Sequence, residues 1–124
     1  MATITVIVGD PPYGKERVYT TLRFALAALE EGHQVNLFLF EDALFAAKKG
    51  QSPHEFPGVF DQRMPNCQAL LEAAIRQGAR VKLCGVCASE RGIDPENDLC
   101  SDVQIGGMRD LVRWVVESDR TVSF

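Results

Sequence analysis

The chain has 124 residues, of which 46% are hydrophobic and 24% are charged, a composition typical of one globular domain with a buried core. Its 13 basic and 17 acidic residues give a formal charge of −4, which argues against general nucleic-acid binding because that function needs a basic surface. No apolar stretch approaches the roughly 20 residues that span a membrane, and the N-terminus lacks the basic region of a signal peptide, so we expect a cytoplasmic protein without a membrane partner.

The beginning of the chain predicts a strand, a loop, a helix and a second strand. The β-branched run Thr3–Gly9 is typical of a buried strand, and the Pro- and Gly-rich residues 10–16 predict a loop. Residues 17–33 predict an amphipathic helix with Gly32 as its stop. The apolar face of this helix consists of Val18, Leu22, Ala25, Leu26 and Leu29. A second strand, Gln34–Phe40, follows.

The middle of the chain is less regular. Residues 41–50 predict a short helical turn. Residues 51–66 predict a long Pro-rich loop, of the kind that often has a function in compact domains. The next helix, at 67–79, has Asn66 as its expected N-cap and Gly78 as its stop.

Strands and helices alternate again in the last part of the chain. A third strand at 80–85 leads into a short helix that ends at Gly92, and a fourth strand follows at 102–107. A helix at 108–119 and a fifth strand at 120–124 complete the pattern. One side of the last helix carries Met108, Leu111, Val112 and Val115. This alternation predicts one α/β domain, spanning the whole chain, with a mostly parallel five-stranded sheet covered on both faces.

The sequence contains four cysteines: Cys67, Cys84, Cys87 and Cys100. A disulfide framework is not expected in a reducing cytosol. A zinc site is not favoured either, because only Cys84 and Cys87 are close together and His33 and His54 lie far upstream. We therefore expect no bound metal and no cofactor.

Cys84 and Cys87 flank the point where the third strand turns into a short helix. In open α/β sheets, chemistry gathers beyond the carboxyl ends of the strands, and the free N–H groups of a helix start favour a thiolate. These positions predict a reactive pair in which Cys84 reacts fastest. The alternative is that both are small core residues, since free cysteine is often buried. Cys67 and Cys100 are interpreted as incidental.

The loop after the first strand matches a phosphate-binding loop only in part. Gly9, Gly14 and Lys15 have the right spacing, but Glu16 occupies the position of the magnesium-binding hydroxyl. Two prolines also remove N–H donors that such a loop uses, so nucleotide binding is not favoured. A hydrolytic Cys–His pair is unsupported, because a histidine reaches the site only if the loop that carries His54 folds over the sheet.

Three stretches of the chain resemble the DsrE/DsrF-like family of sulfur-relay proteins. The first is the opening strand and loop "ITVIVGDPPYG", which leads into "TTLRFALAALEEGHQVNLFLF". The second is "VKLCGVCASERGI", and the third is the closing "IGGMRDLVRWVVESDRTVSF". Together they follow the order of the family over nearly the whole chain.

The resemblance implies a three-layer α/β/α sandwich around a parallel sheet. It also implies that Cys84, which closes the third strand, carries sulfur as a persulfide. Cys87 departs from the TusD-like members and resembles simpler members with Cys-Gly-x-Cys at this point. Members of the family assemble into homo- or hetero-oligomers, so the implied partners are copies of this chain together with a sulfur-donor and a sulfur-acceptor protein.

Three functions remain open at this point. The first is sulfurtransferase activity through Cys84, with Cys87 resolving or modulating the persulfide. The second is a non-catalytic oligomeric module that buries its cysteines and binds a ligand or partner at the strand ends. The third is a thiol–disulfide redox protein that uses the Cys84/Cys87 pair. For self-association, the predicted contact surfaces are the apolar run 36–40 and the terminal strand 120–124.

Overall fold

The computed structural model describes residues 1–52 and 65–124, and the predicted loop therefore lies largely outside the described residues, together with His54. These residues form five strands: β1 (Thr3–Val8), β2 (Gln34–Leu39), β3 (Arg80–Cys84), β4 (Val103–Gly106) and β5 (Arg120–Ser123). In the same described part of the chain there are four α-helices: α1 (Arg17–Glu30), α2 (Cys67–Arg76), α3 (Gly85–Glu90) and α4 (Met108–Glu117). A 3-10 helix, Glu41–Ala47, follows β2 after one residue, Phe40, which is its N-cap.

The strands form one sheet in the order β4-β3-β2-β1-β5, and every neighbouring pair is parallel. Helices lie on both faces of this sheet, so the predicted α/β class is confirmed. The predicted helix stops are confirmed as well. Gly32 and Gly78 have φ values of +89° and +106°, a left-handed conformation that glycine adopts without steric cost.

The face of the sheet that α1 and α2 cover holds the main core. Successive strand residues point to opposite faces, and β2 contributes the fully buried Leu37 and Leu39 to this side. The predicted apolar face of α1 is confirmed, with buried Val18, Leu22 and Ala25 and partly buried Leu26 and Leu29.

The opposite face is covered by α4, and this part of the sheet is more polar. The Thr5 hydroxyl donates to the Trp114 carbonyl oxygen at 3.2 Å and also contacts Ser118. The amide nitrogen of Asn36 lies 3.5 Å from the Thr5 hydroxyl, and Arg80 Nε donates to Asn36 Oδ1 at 2.9 Å. These contacts satisfy the buried polar side chains of Thr5 and Asn36.

Helix α4 is oriented differently from what its apolar pattern suggests. Trp114 is its one buried residue, and Leu111 is half-buried beside it. The remaining residues of the predicted apolar side point outward: Met108 is 62% exposed, Val112 56% and Val115 39%. On the polar face of the sheet, the Trp114 indole finds better partners than the aliphatic side chains of α4 would. It packs edge-on against Phe38 with ring centroids 6.3 Å apart, and the Lys82 ammonium lies 5.0 Å from its centroid.

One predicted surface for self-association lies inside the molecule. Strand β2 is the middle strand of the sheet, and residues 35–39 are buried. The apolar run was therefore wrongly interpreted as a contact surface, because its side chains pack against helices of the same chain. Strand β5 lies at an edge of the sheet and is largely exposed. Within the described residues, no helix is long and apolar enough to cross a bilayer.

Candidate functional site

Cys84 lies where β3 ends and α3 begins, as the sequence predicted. It is the N-cap of α3 with extended backbone (φ −68°, ψ 119°), and its Sγ accepts the N–H of Cys87 at 3.4 Å. Because all strands are parallel, their carboxyl ends lie along one edge of the sheet, which is where open α/β folds bind ligands. Cys84 therefore occupies the edge of the sheet at which chemistry is expected.

Cys87 is the third residue of α3 and lies in the same helical turn. It is half-buried, whereas Cys84 is only 8% exposed. Burial raises the pKa of the Cys87 thiol, and the neighbouring Cys84 thiol adds to this rise. The backbone N–H of Glu41, 3.1 Å from Cys87 Sγ, and the charge of Arg91 act in the opposite direction. Of the two thiols, Cys87 is the more accessible.

Aromatic and aliphatic side chains surround the Cys84 side chain. Phe38 and Trp114 form a small buried cluster with it, and Phe40 and Leu111 pack against this cluster. Gly9 allows the approach of Phe40, because a Cβ at this position would lie 3.0 Å from the ring. A sulfur atom on Cys84 is thus partly shielded from water. The prediction that Cys84 reacts fastest of the four thiols stays a prediction. The burial of the Cys84 side chain disfavours a fast reaction.

The other two cysteines lie apart from this site. Cys67 begins α2, is fully buried and donates from Sγ to the Pro12 carbonyl at 3.5 Å, and burial raises the pKa of its thiol. Cys100 is also buried, and its pKa is raised to about 11, mainly by burial. High thiol pKa values and burial both disfavour the reactive thiolate. The predicted incidental role of the two residues is consistent with these surroundings.

The remaining candidates from the sequence do not join the pair. His33 accepts the backbone N–H of Ala2 at 3.0 Å, at the opposite end of β1 and β2. Lys15, from the partial phosphate-loop pattern, lies on the exposed surface just before α1. In residues 1–52 and 65–124, no three His, Cys, Asp or Glu side chains are grouped as a metal site would need.

Sequence reasoning missed two residues near Cys87. Glu41 is the second residue after β2, and Arg91 is the residue after α3, where its Nη1 donates to the Cys87 carbonyl at 3.1 Å. Adjacent parallel strands end at the same edge, so the segment just after β2 was a foreseeable neighbour of the first turn after β3. The strand order that makes these two strands adjacent was the missing information.

The sequence model of the DsrE/DsrF-like family matches residues 2–124. The chain belongs to this family. An uncharacterized protein of Methanopyrus kandleri is 50% identical over 121 residues, which are 98% of this chain and 93% of that protein. Protein YchN of Escherichia coli is 34% identical over 126 residues, with complete coverage of both chains.

Structural comparison with this DsrE/DsrF-like chain agrees with the sequence comparison. The crystal structure of the Escherichia coli YchN protein matches over the full length of both chains, with a TM-score of 0.87 and 32% identity. A more distant relative, the sulfurtransferase TusD of Cronobacter sakazakii, is 27% identical over 133 residues, covering 97% of this chain and 98% of that protein. The name of TusD states sulfurtransferase activity for that protein.

Proposed function

We propose that this chain is a sulfur-transfer protein in which Cys84 accepts sulfur as a persulfide and passes it to a partner thiol. The observation that carries the proposal is the position of Cys84. It ends β3 at the carboxyl edge of the sheet, caps α3, and has the second thiol, Cys87, in the same turn. Membership of the DsrE/DsrF-like family and a TusD sulfurtransferase among the relatives support it.

The chemistry needs few groups. In the loading step, the Cys84 thiolate attacks the outer sulfur of a persulfide on the donor. A new S–S bond forms on Cys84, the S–S bond of the donor breaks, and the donor leaves as a thiolate with the electron pair of that bond. The unloading step repeats this exchange, with an acceptor thiolate attacking the outer sulfur and Cys84 as the leaving group. Neither step consumes an oxidant or a reductant.

Mass spectrometry of the intact protein and its peptides tests the proposal. After incubation with inorganic polysulfide and removal of the excess, we expect the mass of one additional sulfur atom on the peptide that contains Cys84. Cys84→Ser should abolish this loading, whereas Cys100→Ala, the matched control at a buried thiol outside the site, should retain it. Unchanged loading of Cys84→Ser would contradict the proposal.

Cys87 is proposed to shorten the lifetime of the persulfide on Cys84. Its thiolate can take over the outer sulfur. Alternatively, it can attack Cys84 Sγ, which forms the 84–87 disulfide and breaks the bond to the outer sulfur, so that this sulfur leaves as hydrosulfide with the electron pair. Replacing Cys87 by Ser should then lengthen the lifetime of the loaded form. If Cys87 only fills space under α3, Cys87→Ala lowers the stability by roughly 1 kcal/mol and leaves this lifetime unchanged.

The same geometry favours one other function, thiol–disulfide exchange between Cys84 and Cys87. Two thiols at the N-cap and the third residue of one helix have the spacing of Cys-x-x-Cys redox sites. Equilibration with glutathione buffers of known potential distinguishes the two functions. A redox protein should form the 84–87 disulfide reversibly within the physiological range of potentials, whereas a sulfur carrier should stay in the dithiol form there.

The proposed partners are a second copy of the chain, a sulfur donor and a sulfur acceptor, in a cytoplasm that keeps thiols reduced. For self-association, the outer side of α4 supports the proposal with four exposed apolar residues: Met108, Val112, Val115 and Val116. Light scattering after size exclusion should show a dimer or a larger species. Val112→Glu should shift it toward the monomer, and Arg113→Gln, with the same change of charge on that helix, should not.

A further inference from the structure

The segment after β2 makes an unusual contact with Cys87. Glu41 has φ +51°, a left-handed conformation that residues with a side chain rarely adopt. In this conformation its backbone N–H points at Cys87 Sγ, and the nitrogen lies 3.1 Å from the sulfur. Strained backbone persists only where surrounding contacts hold it, and such strain collects at functional sites. The structure therefore has to supply a restraint on Glu41.

An ion pair provides this restraint. Asp42, the next residue, accepts a hydrogen bond from Arg91 Nε at 2.8 Å. The same guanidinium donates from Nη1 to the Cys87 carbonyl oxygen at 3.1 Å. Arg91 thus contacts both the segment that carries the Glu41 N–H and the residue whose sulfur receives it. Its side chain is 23% exposed, and its two hydrogen bonds, to Asp42 and to the Cys87 carbonyl, join the two segments.

We infer that the Asp42–Arg91 pair positions the Glu41 N–H on Cys87 Sγ, so that Cys87 serves as the second sulfur-carrying thiol, between Cys84 and the acceptor. This inference rests on the proposed sulfur transfer. In the step it describes, the Cys87 thiolate attacks the outer sulfur of the Cys84 persulfide. The new S–S bond forms on Cys87, the Cys84 S–S bond breaks, and its electron pair leaves on Cys84 Sγ.

The surroundings of Cys87 explain why its thiolate needs this hydrogen bond. Burial disfavours its thiolate, and so does the Cys84 thiol beside it. A hydrogen bond from a backbone N–H to sulfur is stronger when the sulfur is charged, and it therefore favours the nucleophilic form. Charged side chains near Cys87 include those of Arg91, of its partners Asp42 and Glu90, and of Glu41 itself. Cys87 is also more exposed than Cys84, so an acceptor thiol can reach it more easily.

Two variants separate positioning from a simple effect of charge. Asp42→Asn keeps the Arg91 charge but weakens the contact between Arg91 and the 3-10 helix. If Arg91 acts only through its charge, losing the opposing carboxylate lowers the pKa of Cys87. If the pair positions the Glu41 N–H, the pKa rises instead. Arg91→Lys gives an independent comparison, because lysine retains the charge but cannot bond to Asp42 and to the Cys87 carbonyl with a planar guanidinium.

The measurement is the rate of iodoacetamide alkylation at Cys87 as a function of pH, followed by fragmentation mass spectrometry of peptide 83–91, because this peptide contains both Cys84 and Cys87. We expect both variants to move the midpoint upward and to lower the rate at neutral pH at least about threefold, which is roughly half a pKa unit. Glu90→Gln is the matched control, since Glu90 also contacts Arg91 (3.6 Å) but lies in α3 rather than beside Glu41. It should leave the midpoint unchanged.

A downward or unchanged midpoint in Asp42→Asn and Arg91→Lys would overturn the inference, even if both variants lowered the thermal stability. The second readout is the distribution of sulfur after polysulfide loading, where we expect both variants to retain more sulfur on Cys84 and less on Cys87 than the wild type. If Cys84 never loads but the alkylation midpoints shift as expected, the positioning stands and the proposed sulfur transfer fails. If Cys84 loads and the midpoints do not shift, the positioning fails alone.

Discussion

Replacing Trp114 by alanine tests how α4 is attached to the sheet and how Cys84 is covered. Trp114 is the one buried residue of α4 and is only 5% exposed. A buried aromatic side chain removes about 150–250 Å² from water, which at about 25 cal/mol per Å² corresponds to roughly 4–6 kcal/mol as an upper estimate. Measured Trp-to-Ala losses of about 3–5 kcal/mol agree, so we expect a loss of about 4 kcal/mol.

Urea unfolding followed by far-UV circular dichroism measures this loss. Fluorescence is unsuitable because Trp114 is the only tryptophan of the chain. Val116→Ala is the matched control on the same helix: Val116 is 77% exposed, so its truncation should change the unfolding free energy by less than about 0.5 kcal/mol. Trp114→Phe keeps a ring against Phe38 and should lose clearly less than the alanine variant.

The same variant has a consequence at the site. Cys84 and Trp114 belong to one buried cluster, so removing the indole should expose Cys84 and increase its alkylation rate in the folded protein. A loss below about 1 kcal/mol in Trp114→Ala, or a loss equal to that of Val116→Ala, would refute the view that one residue anchors α4. An unchanged Cys84 alkylation rate in folded Trp114→Ala would refute the covering role.

Three further predictions concern acid stability, thiol reactivity and helix capping. The Gly107 N–H and the Lys82 ammonium lower the pKa of Asp110 in the folded protein. Its carboxylate therefore stabilises the fold above about pH 4, and this contribution is lost as the pH falls through the lowered pKa of the folded state. Asp110→Asn should weaken the fall in urea stability between about pH 5 and pH 3. Cys100, whose pKa is raised to about 11, should alkylate more slowly than the thiols of the site at neutral pH, and peptide mapping that finds it first would contradict this. Asn66→Ala should cost about 1 kcal/mol in urea unfolding because Asn66 accepts an N–H as the N-cap of α2, whereas Asn66→Asp should retain most of the stability.

Local features of the chain were predictable from the sequence because they depend on residues close together along it. The alternation of strands and helices, the α2 cap at Asn66 and the stop at Gly78 agree with the structure. The relation between Cys84 and Cys87 is local as well. Two residues at a strand end, three positions apart, necessarily share the first turn of the helix that follows.

Contacts between distant segments were decided only by the tertiary structure. Glu41 and Cys87 are 46 positions apart, and they meet because β2 and β3 are neighbours in the sheet. The orientation of α4 also depended on its partner. Hydrophobic periodicity shows which residues of a helix share a face, but it does not show which face the sheet will accept. Here the sheet presents Asn36 and Lys82 beside Phe38, so the indole of α4 packs inward and its valines stay outside.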